Sequence, residues 1–115
     1  DFEVSIVKYE YDDEKNKLKI IFDEDIDVHS CKTLRTIVDG YIMKYSPKTC
    51  ELDMKNVGFM DSSGLGFVVG RYNLASMLNC KIELSNAAAN IQKMIQLYKN
   101  FFSFSFNIKI LTFKT

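Results

Sequence analysis

Leu18, Ile20 and Phe22 fall on every second position of one short segment, the period of a strand with a single buried face. Residues 2–9 repeat the theme, with Phe2, Val4, Ile6, Val7 and Tyr9 on apolar positions. The polar turn Tyr11-Asp12-Asp13-Glu14-Lys15-Asn16 separates the two runs, which together predict an antiparallel hairpin. An acidic cluster, Asp23-Glu24-Asp25-Ile26-Asp27, ends it. The period then lengthens. Cys31, Leu34, Ile37, Val38, Tyr41 and Ile42 trace one face of a helix, and the Ser30 hydroxyl stands where it can cap free backbone N–H groups. Ser46-Pro47-Lys48 stops the helix, because proline disfavours helical geometry in the residue before it.

Cys50-Glu51-Leu52-Asp53-Met54 alternates again, with Val57 and Phe59 continuing towards the small-residue turn Asp61-Ser62-Ser63-Gly64. A second helix follows and runs to about Leu78. At 3.6 residues per turn it carries two stripes. Leu65, Val68, Val69, Tyr72 and Ala75 make one; Phe67, Leu74 and Leu78 make the other, roughly opposite. One stripe covers a sheet, and the other packs on a neighbouring helix or forms part of a docking surface. Lys81-Ile82-Glu83-Leu84 is a short strand, and Ser85 is placed to cap a third helix with Ala88, Ile91, Ile95 and Tyr98 on one side. Asn100 is read as its left-handed terminus. Phe101, Phe102, Phe104 and Phe106, then Ile108, Ile110 and Phe113, predict at least one more strand.

Strand–strand–helix–strand–helix–strand–helix–strand predicts an α/β fold: a mixed sheet of four to five strands covered by three helices. Each strand–helix–strand crossover is expected to be right-handed.

Composition narrows the choices without adding a site. A chain of 115 residues with 47% hydrophobic and 26% charged residues fits one globular domain. Lys+Arg and Asp+Glu number 15 each, so there is no basic footprint for nucleic acid or an anionic membrane surface. No apolar run spans a bilayer and no signal-peptide pattern opens the chain, while a first residue of Asp1 rather than Met suggests trimming. Cys31, Cys50 and Cys80 are odd in number and widely spaced, and His29 is the single histidine. That pattern predicts buried thiols in a reducing cytosol rather than a disulfide framework or zinc site.

Chemistry concentrates in the turn before the second helix. An acid, two hydroxyls and a glycine at a helix N-terminus bring free backbone N–H groups to an electropositive, accessible spot. Taken alone, Asp61 and Ser62 are ordinary capping residues. Gly64, Gly66 and Gly70 are less ordinary, since glycine in a helix costs about 1 kcal/mol relative to alanine. Close approach by a neighbouring element or by an incoming partner would explain them. The loop after the second strand is expected beside this turn, bringing Asp27 near Ser62, where a carboxylate can accept a hydrogen bond from the hydroxyl. A serine hydrolase would need a histidine base and an oxyanion hole. His29 is the one candidate base, and the turn is not Gly-x-Ser-x-Gly. Gly64-Leu65-Gly66 also lacks the Gly-Lys-Ser/Thr of a phosphate loop.

The octapeptide Phe59-Met60-Asp61-Ser62-Ser63-Gly64-Leu65-Gly66, followed by Gly70-Arg71-Tyr72, resembles the anti-sigma factor antagonists of the STAS domain family. Asp25-Ile26-Asp27 with Thr33-Leu34 is similar to that family's acidic turn before its first helix. The resemblance is strongest at the turn and weakest at the end of the chain, where the family's last helix has no counterpart. It implies a single STAS domain over 1–115 acting as a non-enzymatic, cytoplasmic switch without cofactor or metal. Ser62, the serine after Asp61, takes the position of the phosphorylated residue. Asp27, Asp61, Ser63, Gly64, Leu65 and Gly66 fall on the partner-binding surface. The implied partners are an anti-sigma factor with serine kinase activity and a phosphatase that resets the switch, with no direct nucleic-acid or membrane contact. The unphosphorylated form would bind the kinase and so release a sigma factor. A STAS scaffold or regulatory domain of a signalling complex or transporter shares the same residues.

Overall fold

The computed structural model describes residues 7–102 and 106–111. Five strands form one sheet in the order β1-β2-β3-β4-β5, with β1 Val7–Asp12, β2 Lys17–Phe22, β3 Thr49–Asp53, β4 Lys81–Ser85 and β5 Lys109–Leu111. β1 and β2 are antiparallel and every later pair is parallel, so the sheet is mixed as predicted. Helices α1 Cys31–Tyr45, α2 Ser62–Met77 and α3 Ala89–Phe101 connect the parallel strands. Strand order follows chain order, so three crossovers of the common right hand step in one direction and lay their helices on one face.

The register shows which face that is. Leu18 pairs with Cys50 and Cys50 with Ile82; Ile20, Leu52, Leu84 and Ile110 continue the next row. Nearly all of this row set is fully buried beneath Leu34, Val38 and Ile42 of α1, Phe67, Val68 and Ala75 of α2, and Ile91 and Ile95 of α3. The other face carries the charges. Lys17 Nζ lies 3.0 Å from Glu51 and 3.3 Å from Glu83, while Lys19 reaches Asp53 at 3.7 Å. β3 is thus covered on both sides, by helices over Cys50 and Leu52 and by lysine stems and hydrogen bonds over Glu51 and Asp53.

Three local expectations are corrected. Ser30 stands at the start of α1 but its hydroxyl does not cap it; Oγ donates to Asp25 O at 2.9 Å and accepts from Asp27 N. Ser85 ends β4, buried, and donates to Glu51 Oε2 at 2.6 Å, so a charged partner on the adjacent strand has claimed the hydroxyl expected to cap α3. Asn100 is an ordinary helical residue, because α3 continues to Phe101; Asn16, Ser46, Asn79 and Asn86 are the left-handed non-glycine residues among those described. The described part of β1 begins at Val7, and Phe2, Val4, Ile6, Phe104 and Phe113 lie outside the described residues. Phe106 is buried, with Tyr72 and Tyr98 rings packed edge-on at 4.9 and 5.1 Å.

Candidate functional site

β2 and β3 are parallel neighbours, so the loops leaving their C-terminal ends lie side by side. Carboxylates stitch these loops together. Asp25 Oδ1 accepts from both Gly58 N and Phe59 N at 2.9 Å, holding the loop after β3 to the loop after β2. Asp61 Oδ2 answers from the other side by accepting from Val28 N at 3.2 Å. Between them Ile26 and Met60 form a parallel bridge, and both side chains are buried. The alternation of β3 therefore does not continue to Phe59. Val57 turns inward, Phe59 is 53% exposed, and its N–H is bound by Asp25.

α2 starts from this fixed platform. Asp61 is its N-cap, in extended geometry, with Oδ1 accepting from Gly64 N at 2.9 Å. That N–H, assisted by the Val28 and Ser63 amides against the opposing effect of burial, holds the Asp61 carboxyl below its usual pKa of 3.8. With the cap supplied by Asp61, Ser62 is the first helical residue and is exposed. Ser63 is half-buried, and Leu65 packs part of its side chain on the core while donating its N–H to Asp61 O at 3.0 Å. Gly64 is buried, and a Cβ there would overlap the Ile26 carbonyl oxygen and Met60 Cγ. Its small size is demanded by the stitched loops. Gly66 and Gly70 differ, because an added Cβ at either meets nothing within 4 Å.

The loops bring Asp27 to the Asp61 side of the molecule, but its carboxylate has other work. Asp27 Oδ1 accepts from His29 N at 2.9 Å and Ser30 N at 3.1 Å, satisfying free donors at the start of α1. The expected Asp27–Ser62 hydrogen bond is absent among the described residues. The residue that reaches across is Asp61, through the Val28 amide. His29 lines a shallow acidic hollow with Asp25, Asp27 and Ser30, and no hydrogen bond joins its ring to Ser62 or Ser63 among the described residues. Among those residues no group of three metal-ligating side chains gathers, and no helix is long and apolar enough to cross a membrane.

Sequence reasoning singled out Arg71 only as part of a motif. In the fold it is 5% exposed, with Nε 2.6 Å from Asp39 Oδ1 of α1 and its guanidinium over the Phe67 ring. The Nε–H does not aim along that short contact, which is one of charge rather than an aligned hydrogen bond. Burial lowers the Arg71 pKa, opposed by Asp39 and reinforced by Arg35. Arg71 faces a cleft of about 650 Å³ between α1 and α2. Asp39 and Arg71 lie on different helices, and only the topology unites them.

Residues 7–115 match the STAS domain family, and the chain belongs to it. Among its relatives, the anti-sigma F factor antagonist of Paenibacillus polymyxa is 27% identical over 73 residues, 64% of this chain. That match spans 62% of the relative's own length. The fold is shared with SpoIIAA of Bacillus in two solved forms. The unphosphorylated form has a TM-score of 0.70 at 20% identity, covering 94% of this chain and 89% of that one. The phosphorylated form has a TM-score of 0.66 at 21% identity, covering 92% and 91%. The protein TM1081 of Thermotoga maritima superposes with a TM-score of 0.78 at 16% identity, covering 95% of this chain and 88% of its own.

Proposed function

We propose that this STAS domain is an anti-sigma factor antagonist switched by phosphorylation of Ser62. The observation that carries the reading is the placement of Ser62, an exposed hydroxyl at the first position of α2, beside a cap that leaves it free. The unmodified form binds an anti-sigma factor with serine kinase activity and so releases a sigma factor. Exposed Phe59 and Val28, 53% and 60% accessible, flank the turn and offer apolar contact. Ser63, Leu65, Gly66 and the Asp27 loop complete the surface, with Asp61 and Gly64 fixing its shape.

Phosphorylation adds about −1.5 to −2 charges and three acceptor oxygens at neutral pH. At a helix N-terminus that charge agrees with the dipole, so the fold survives. In an interface beside Asp61 and the Asp27 loop the same charge is repelled and loses its hydration. The switch thus acts on binding. The role is non-enzymatic and cytoplasmic, and a separate phosphatase removes the phosphate. The test is incubation with the cognate kinase and ATP, followed by intact-mass measurement and fragment mapping. One phosphate on Ser62, abolished in Ser62→Ala, is expected. Phosphate on Ser63 alone, or persisting in Ser62→Ala, refutes the assignment.

A further inference from the structure

We propose that the groove between α1 and α2 receives an acidic, amphipathic helix of the protein that docks at Ser62; this deepens the reading above and rests on it. Three observations converge. The first is unused space. Ser63, Gly66 and Gly70 lie three and four residues apart on one face of α2, where they are neighbours on the helix surface. Both glycines open onto empty space, so packing within the chain does not require them. A face without side chains admits another backbone closely. The contrast is Gly64, whose size the Ile26 and Met60 contacts explain.

The second is charge. Lys32, Arg35 and Arg71 line the groove against one carboxylate, Asp39. Asp39 is shared, 2.6 Å from Arg71 Nε and 3.9 Å from Arg35 Nε, which leaves an excess of cations facing the opening. Arg35 keeps 70% of its side chain exposed, free to meet an incoming carboxylate.

The third is shape. The groove runs from Ser63, next to the switch residue, to Met77, which is 80% exposed. At 1.5 Å rise per residue this is about 20 Å, four turns of an incoming helix. Leu74 and Met77 add apolar surface at the far end. Cations along one side, apolar residues at one end and a bare glycine floor match a helix with acidic and apolar stripes. Continuity with Ser63 makes it an extension of the Ser62 contact.

The experiment titrates the full chain into the cognate anti-sigma factor kinase by calorimetry at low and physiological salt. The variants are Gly70→Leu and the double variant Lys32→Glu/Arg35→Glu, with Lys8→Glu on the opposite sheet face as control; thermal melts check each fold. Binding at least tenfold weaker for Gly70→Leu and for the double variant, with the salt dependence flattened in the latter and Lys8→Glu unchanged, is expected. Gly70→Leu fills the groove, and the charge variant tests it independently of that added bulk. If wild type binds and both groove variants bind equally well, the groove inference is overturned while the Ser62 reading stands. If wild type neither binds nor is phosphorylated, the functional reading itself fails.

Discussion

The two glycine-bearing regions of α2 were built to opposite specifications. At the N-terminal turn nothing is spare. Asp25 binds two amides of the opposite loop, Asp61 binds one in return and caps the helix, and Gly64 is squeezed between Ile26 and Met60. One turn further on, Gly66 and Gly70 face open space along a groove whose buried arginine shares a carboxylate with an exposed one. The segment that presents the proposed phosphorylation site is rigidly fastened. The segment proposed to receive a partner is left bare, at a cost in helix propensity of about 1 kcal/mol per glycine. Tight fastening and open surface are thus divided between adjacent stretches of one helix.

The sharpest break of that contrast is Gly64→Ala. The added methyl meets a backbone carbonyl that cannot rotate away, so a loss of about 2–3 kcal/mol is expected in urea unfolding, the upper part of the range for overpacked cores. Asp25→Ala should cost less, about 1–2 kcal/mol, because its amide partners lie in exposed loops that water can reach. Its larger signature is at the turn, where amide exchange at Gly58 and Phe59 should accelerate and kinase modification of Ser62 should slow. Gly70→Ala should move the other way, gaining up to about 1 kcal/mol, since alanine is the better helix former and finds no obstacle. If Gly64→Ala and Gly70→Ala shift stability in the same direction, the distinction between the two stretches is false.

The Asp61 cap has a pH signature. Its folded pKa lies below the ordinary carboxyl value of 3.8, so its contribution is present above that value and is lost as pH falls through the lower folded one. Asp61→Asn should therefore flatten the acid limb of the stability profile and leave the neutral-to-alkaline limb unchanged. Urea midpoints measured from pH 2 to pH 7 check this.

How much of this was legible follows from which residues act locally. Leu18, Ile20 and Phe22 announce β2 because strand period and burial coincide, and α1 is visible in Leu34, Val38 and Ile42 for the same reason. The Ser62 turn was legible because its cap, glycine and hydroxyls are contiguous. Hydroxyl partners were not legible. Ser30 and Ser85 sit at plausible caps, yet Asp25, Asp27 and Glu51 take their hydrogen bonds through contacts that sequence order does not display. The Arg71–Asp39 pair needed two helices to be laid side by side. Asp27 was placed in the right loop, but its carboxylate turned to its own helix start. The signal available for the groove was the pair Gly66 and Gly70, and only the folded surroundings separate them from Gly64.

The central claim is that Ser62 switches binding while leaving the fold alone, and Ser62→Asp tests it most directly. Ser62 is not the cap, so Ser62→Ala should melt close to wild type. The added carboxylate of Ser62→Asp meets the positive end of α2 and should leave stability equal or higher by about 0.3–1 kcal/mol. Paired thermal melts and calorimetric titrations against the kinase, on wild type and both variants, read fold and affinity together. The account predicts native melting for Ser62→Asp with affinity at least tenfold weaker, and wild-type affinity for Ser62→Ala. A Ser62→Asp protein that melts far below wild type, or binds the kinase just as tightly, would contradict it.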